Sequence, residues 1–344
     1  MDLFVFLALL QDGVTTGAIY LLLAVGLLIV FAVTRVIFVP QGDLLAFGAL
    51  TAAGLQGGTL PGTLWLLDAA SAVALALSLV QARRAGGRRA LWRGLLAWGL
   101  YPLVVTIACT LLAPYQVAAV SIVLALAIVA PMGPLIWRFA FRPMGEASVL
   151  ALLILAMALH FVLTGIGLLA FGPEEASAPS ITDAGFTLGP LSVSGQSVAV
   201  LVCCVALVIG LRWFFGASIH GKVLRAAASD RLGARLVGID AGASGALAFL
   251  LAGFIAALAG VLIGAVTPLS YDAGFTIGLK GFVAAIIGGL VSFPMAAAGA
   301  VLVGVLESLG SFWASAYREV IVFTLLIPVL LWLSLRGGSA EDRA

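Results

Sequence analysis

This chain has little charge. Asp, Glu, Lys and Arg make up 9% of its 344 residues against 63% hydrophobic ones, and the mean hydropathy is +1.23. A soluble domain carries about 25% charged residues, so a soluble globular protein is excluded. Histidine and cysteine are scarcer still, at two and three residues. Cys109, Cys203 and Cys204 sit inside apolar runs at neither metal-ligand nor disulfide spacing, and read as small core residues. His160 stands alone in its apolar run, with no second His, Cys or carboxylate at ligand spacing, and reads as a buried, hydrogen-bonded histidine; His220 reads as solvated. No metal site is expected. The chain has no GxxxxGKS/T phosphate-binding loop. An intramembrane enzyme would need a nucleophile with a base, or a metal set, and one buried His supplies neither. No enzymatic activity and no cofactor of its own are expected. The opening "MDLFVFLALLQDG" lacks a basic n-region and a small-residue cleavage site, so no removable signal peptide is expected.

What the chain has is long apolar runs. A bilayer crossing takes roughly 20 apolar residues, and candidate spans fall at 13–33, 42–57, 64–80, 91–113, 117–137, 149–171, 197–215, 243–266, 274–291, 296–313 and 320–335. The runs do not alternate polar and apolar residues, which excludes a β-barrel. The fold class is all-α: a polytopic transmembrane helical bundle of about nine to eleven membrane segments. The runs at 42–57 and 274–291 are short and Gly-rich, and read as partial or broken helices that neighbouring protein must cover. The 41 glycines, in stretches such as "GVTTG" and "GGLVSFPMAAAGAVLVG", mark small-residue faces for close helix packing.

The few charges are unevenly placed. One choice of sidedness puts Arg35, Arg83, Arg84, Arg88, Arg89, Arg93, Arg138, Arg142, Arg212, Lys222, Arg225, Arg231, Arg235, Arg336 and Arg343 together, leaving only Arg318 opposite. By the positive-inside rule that side is cytoplasmic, the N-terminus lies outside and the C-terminus inside. The acidic, Gly/Pro/Ser-rich stretch "GPEEASAPSITDAGFTLGPLSVSGQ" falls on the exterior. The densest charge lies in "GKVLRAAASDRLGARLVGID", whose Leu224, Ala227, Ala228, Arg231, Leu232, Arg235 and Leu236 follow the spacing of one amphipathic helix, stopped at Gly238. Such a helix is either a solvated connector or an element docking in the groove of a soluble partner.

This stretch resembles the coupling segment in permease subunits of the branched-chain amino-acid ABC importer family, whose pattern is "GxxxRAxAxDxxxAxLxGI" where this chain reads "GKVLRAAASDRLGARLVGI". "DGVTTGAIYLLLAVGLLIVFAVTRVI" resembles the family's first span, and "RFAFRPMG" its "ERLxxRPLRG" turn. The block from "GFTIGLKGF" to "LLIPVLL" is similar almost position by position. The resemblance covers 1–57 and 130–336. It implies a transmembrane permease domain over 1–336, with a cytoplasmic coupling segment over 216–242 and a cytoplasmic tail at 337–344. It also implies import of a small polar or zwitterionic solute, branched-chain amino acids first, across the bacterial inner membrane. ATP would be hydrolysed by a separate subunit. The implied partners are a second permease subunit, two cytoplasmic ATPase subunits and an extracytoplasmic solute-binding protein, and no nucleic acid. On that resemblance Arg225, Asp230, Arg231, Ala234, Arg235 and Gly238 form the ATPase contact. The "EAAxxxG" of many ABC importers is reduced to "LGARLVG", without its Glu. The chain departs from the family in "IFVPQG", where the family reads "INFAHG", and in 58–113, which reads as an inserted helical hairpin. A stand-alone secondary carrier or channel is the alternative; it would need facing carboxylates for a coupling ion.

Ionisable groups inside spans are functional candidates by default. Lys280 either faces the translocation path, pairs with a carboxylate such as Glu307, or snorkels to an interface. Glu307 is expected to face a partner helix. At the start of the second run, Gln41 is a candidate path residue and Asp43 reads as a helix cap. Tyr20, Tyr271 and Tyr317 read as packing or interface aromatics.

Overall fold

In a computed structural model the chain is helical almost throughout. The structure describes residues 3–85, 92, 94–145, 147–182, 184–188, 191–290, 292–324, 327, 328 and 331. Arg88, Arg89, Arg93, Arg336, Arg343, the tail at 337–344 and much of the last apolar run lie outside them. Among the described residues eight helices are long and apolar enough to cross a membrane, joined by shorter apolar ones. The chain divides into two compact units, one made of 1–42, 182–244 and 275–344, the other of 43–181 and 245–274.

The first unit is organised on α1 (Leu3–Thr34). The expected span began at residue 13, but the helix starts ten residues earlier, because nothing in "LFVFLALLQD" breaks it and Gly13 sits inside it. At 1.5 Å per residue its 32 residues reach about 48 Å, well beyond a hydrocarbon core of about 30 Å. In this unit α1 packs on α12 (Phe293–Ala314) through glycines from both helices. A Cβ at Gly13 would meet Val305 Cα at 2.7 Å and one at Gly17 would meet Val301 Cα at 2.9 Å, so only glycine allows this approach. The helix ends where Arg35 takes a left-handed backbone (φ 59°), unusual for a side-chain-bearing residue. Thr34 Oγ1 donates back to the Val30 carbonyl at 2.7 Å.

The second unit holds most of α2 (Gln41–Gln56), α3 (Gly62–Ala85), the helical runs α4 (Leu96–Tyr115) and α5 (Ala118–Met144), α6 (Val149–Phe171) and most of α10 (Ala241–Gly264). Its core is α2. Leu44, Leu45, Ala46, Phe47, Ala49 and Ala52 have no exposure at all, the condition for a helix too short to face lipid. Gly48 meets the Ala257 carbonyl, where a Cβ would stand 2.6 Å from the oxygen, and Gly260 lies against Leu45. The 58–113 segment forms a helical pair within this unit, α3 and α4. Its outer surface carries Trp65, Val80, Leu103, Ile107 and Leu111 exposed, as suits lipid, and Thr106 Oγ1 donates to both oxygens of Asp68 at 3.0 Å.

Two departures from the sequence reading lie between the long helices. The acidic loop contains a hairpin, β1 (Gly185–Leu188) paired antiparallel with β2 (Leu191–Ser194), before α7 (Gly195–Ala217). The single amphipathic helix expected after α7 is two: α8 (Ile219–Ser229) and α9 (Arg231–Leu236). Asp230 separates them. Its backbone is extended, and its Oδ1 accepts from the Leu232 and Gly233 N–H groups at 2.9 and 3.0 Å, starting a new helix instead of continuing the old one. Such a cap contributes about 1 kcal/mol. Gly238 (φ 86°) closes α9, as the sequence predicts, and the Ile239 N–H returns to the Ala234 carbonyl. Then α11 (Ala273–Ile287), α12 and α13 (Arg318–Thr324) complete the described chain.

Candidate functional site

Ionisable and polar side chains inside apolar helices must find partners, because hydrocarbon offers none. In the first unit they converge. Lys280 of α11 donates to Glu307 Oε1 of α12, and the Tyr20 hydroxyl of α1 donates to Glu307 Oε2. Both carboxylate oxygens are used, and the lysine charge cancels the glutamate charge inside the helix cluster. Lys280 is 4% exposed, so it does not snorkel; its ammonium also lies 5.9 Å from the centre of the Tyr20 ring. Tyr20, read from sequence as a packing aromatic, is the third member of this cluster, and only the fold could join it to a residue so distant in sequence.

Gln41 starts α2 and is buried against α1. Its Nε2 donates to the Leu23 carbonyl at 3.0 Å, and its amide fills the space that Gly26 leaves open. Gly26 lies eight residues before the end of α1, so α2 begins about 12 Å short of that end, and the link 35–40 turns back to reach it. The amide oxygen, Gln41 Oε1, is buried and has no hydrogen-bond partner among the described residues. It is an acceptor waiting for a donor.

In the second unit Asp43, read from sequence as a helix cap, has a side-chain partner on another helix. Its carboxylate oxygens lie 2.9 and 3.0 Å from His160 Nδ1 of α6, and both residues are buried. His160 is thus hydrogen-bonded as read, by a residue that sequence spacing could not indicate. Thr164 Oγ1 stands 3.4 Å from the same nitrogen and donates to the His160 carbonyl.

Outside the spans, α8 buries Gly221, Leu224 and Ala227 and presents Lys222 and Arg225 outward. The six residues assigned by resemblance to a partner contact do not share one environment. Arg225, Arg235 and Gly238 are exposed; Ala234 is buried; Asp230 caps α9. Arg231 is exposed as a residue, yet its Nε and Nη2 donate to the Val33 carbonyl at 3.0 and 2.7 Å. Burial, then the charges of Arg35 and Arg235, lower its pKa from the ordinary value, yet arginine keeps its charge at neutral pH. The surface beside Arg235 is apolar: Leu232, Leu236 and Val237 are 69%, 81% and 77% exposed. The sequence reading named Leu232 and Leu236 only as positions in the helical spacing and passed over Val237, although a "RLGARLV" helix of two turns cannot bury them all.

Long apolar helices, a short buried helix among them, charges paired between apolar helices and an amphipathic segment outside them define a multi-pass membrane protein. The comparisons with known proteins are specific. Residues 92–330 match the family described as "Branched-chain amino acid transport system / permease component", and the chain belongs to that family. The high-affinity branched-chain amino acid transport system permease protein BraD of Pseudomonas aeruginosa is 32% identical, over 66% of this chain and 78% of its own. The corresponding LivH of Escherichia coli K12 is 31% identical, over 63% of this chain and 73% of its own. No solved structure matches.

Proposed function

We propose that this chain is the membrane-embedded permease subunit of a bacterial ABC importer for branched-chain amino acids or similar small zwitterionic solutes, without an ATPase site of its own. It works with a second permease subunit, two cytoplasmic ATPase subunits and an extracytoplasmic binding protein. The N-terminus lies outside, and the α7–α10 connection lies in the cytoplasm. One observation carries the coupling reading: α9 leaves Leu232, Leu236 and Val237 bare in a charged segment outside the membrane. Apolar side chains exposed among arginines are the composition of an interface centre with a charged rim. Arg235 and Gly238 flank Leu236 and Val237 in sequence, Arg225 is exposed on the preceding helix, and charge there sets register and encounter more than affinity.

For the solute path, the buried oxygen of Gln41 supports a role for that residue. An unpaired acceptor inside the membrane suits the N–H donors of a zwitterion's ammonium group, reached when the helices change their packing. Lys280 and Glu307 already satisfy one another, which favours a role in holding α11 to α12 over direct solute contact.

The test is reconstitution of the four-subunit complex in proteoliposomes, with loaded binding protein on the outer side and ATP on the side of α9. Radiolabelled leucine should accumulate only when hydrolysable ATP and the ATPase subunits are both present. Leucine flux through the permease without ATPase subunits would show a stand-alone carrier and overturn the reading.

A further inference from the structure

The two hydrogen bonds from Arg231 to the Val33 carbonyl separate it from the charged residues around it. The last four carbonyls of any α-helix lack partners within the helix and carry the negative end of its dipole. In α1 these belong to residues 31–34. The Phe31 carbonyl accepts from the Arg35 N–H at 2.8 Å as the chain turns left-handed, and the Val33 carbonyl is met by the Arg231 guanidinium. Two N–H donors from one guanidinium, at 3.0 and 2.7 Å on a single helix-terminal oxygen, form a charge-assisted contact with a fixed direction. It links α9 to α1 by hydrogen bonds. Its ends are rigid. Asp230 caps the first turn of α9 immediately before Arg231, and α1 continues unbroken from Val33 to Tyr20, which holds Glu307, and on to the glycines locked against α12.

We infer that Arg231 is a positioning residue that clamps the coupling segment to the inner end of α1, so that a displacement of α9 moves α1 as a rod. The inference rests on the importer reading and deepens it. Within the charged segment, the patch at Leu232, Leu236 and Val237 receives the partner, and Arg231 passes its movement inward. An ammonium in place of the guanidinium offers a point charge without the planar fork, so lysine fills the role in part, and a neutral side chain without donors does not fill it.

The experiment compares wild type, R231A, R231K and R231Q in the complete reconstituted complex, reading leucine moved per ATP hydrolysed and the amount of ATPase subunit retained on purification. For R231A the transport ratio should fall about tenfold, within the usual range of a coupling free energy between sites, while the ATPase subunits stay bound. R231K should recover part of the ratio. A wild-type ratio in R231A overturns the clamp, as does loss of the ATPase subunits from R231A, which would make Arg231 a contact residue. If R231A does not accumulate in the membrane, R231Q against R231K decides: a wild-type ratio in R231Q overturns the clamp, and a ratio below that of R231K supports it. Should the wild-type complex itself show no ATP-dependent uptake, the importer reading fails and takes the clamp with it. Coupled wild type with equally coupled R231A sinks the clamp alone.

Discussion

Glu307 is the residue on which most of the intramembrane electrostatics of the first unit turns. Lys280 and Tyr20 occupy its two oxygens from different helices. Removing one partner of a buried ion pair strands the other charge and costs about 3–5 kcal/mol, whereas replacing both by apolar groups of similar size is often neutral. K280M alone should therefore lower the thermal stability of the detergent-solubilised subunit, and K280M/E307L should regain most of it, as read by fluorescence-monitored unfolding. A double variant no more stable than K280M would mean that the pair is not the source of the loss. The sequence marks Lys280 and Glu307 because ionisable groups are conspicuous in apolar runs. It does not mark Tyr20, whose ring is unremarkable there, nor the Asp43–His160 contact, whose members lie 117 residues apart. Contacts of that range are products of the fold, and no local pattern encodes them.

At the scale of elements, the runs of apolar residues give most of the helices within a few residues, since long apolar segments have one stable conformation in lipid. The short helices are harder to read. The break between α8 and α9 hinges on Asp230, which the helical spacing of Leu224 to Leu236 absorbs as one more polar position; the capping preference of Asp competes with that periodicity and wins. The split matters because it turns α9 so that Leu232, Leu236 and Val237 face outward. If these form the centre of the ATPase interface, L236D should cost about 2 kcal/mol or more of binding, the range of a hot-spot residue. The purified complex should then lose its ATPase subunits in a pull-down, while the surface variant K222Q keeps them. A full complement of ATPase in L236D would place the interface elsewhere.

For the whole molecule, the distribution of Lys and Arg fixes an expected sidedness that thiol labelling can check. With Cys109, Cys203 and Cys204 replaced, S229C should react with a membrane-impermeant maleimide in inverted vesicles and not in intact cells, and E175C should do the reverse. Both positions are exposed and outside the long helices or at their connecting segments. The opposite pattern would turn the molecule over and remove α9 from any cytoplasmic ATPase. What composition could not convey at this scale is the division into two compact units, since three helices carry residues of both.

The short helix α2 has a consequence for how the protein is made. Its cover in the second unit comes from α10, whose Gly260 meets Leu45, and that part of the chain leaves the ribosome roughly two hundred residues later, on the order of ten seconds or more at ordinary elongation rates. Until then a segment too short to cross the bilayer, with Gln41 and Asp43 at its leading end, has to wait beside the insertion machinery. The centre of this subunit is therefore assembled late in its synthesis, with α2 taking its place only after the later helices arrive.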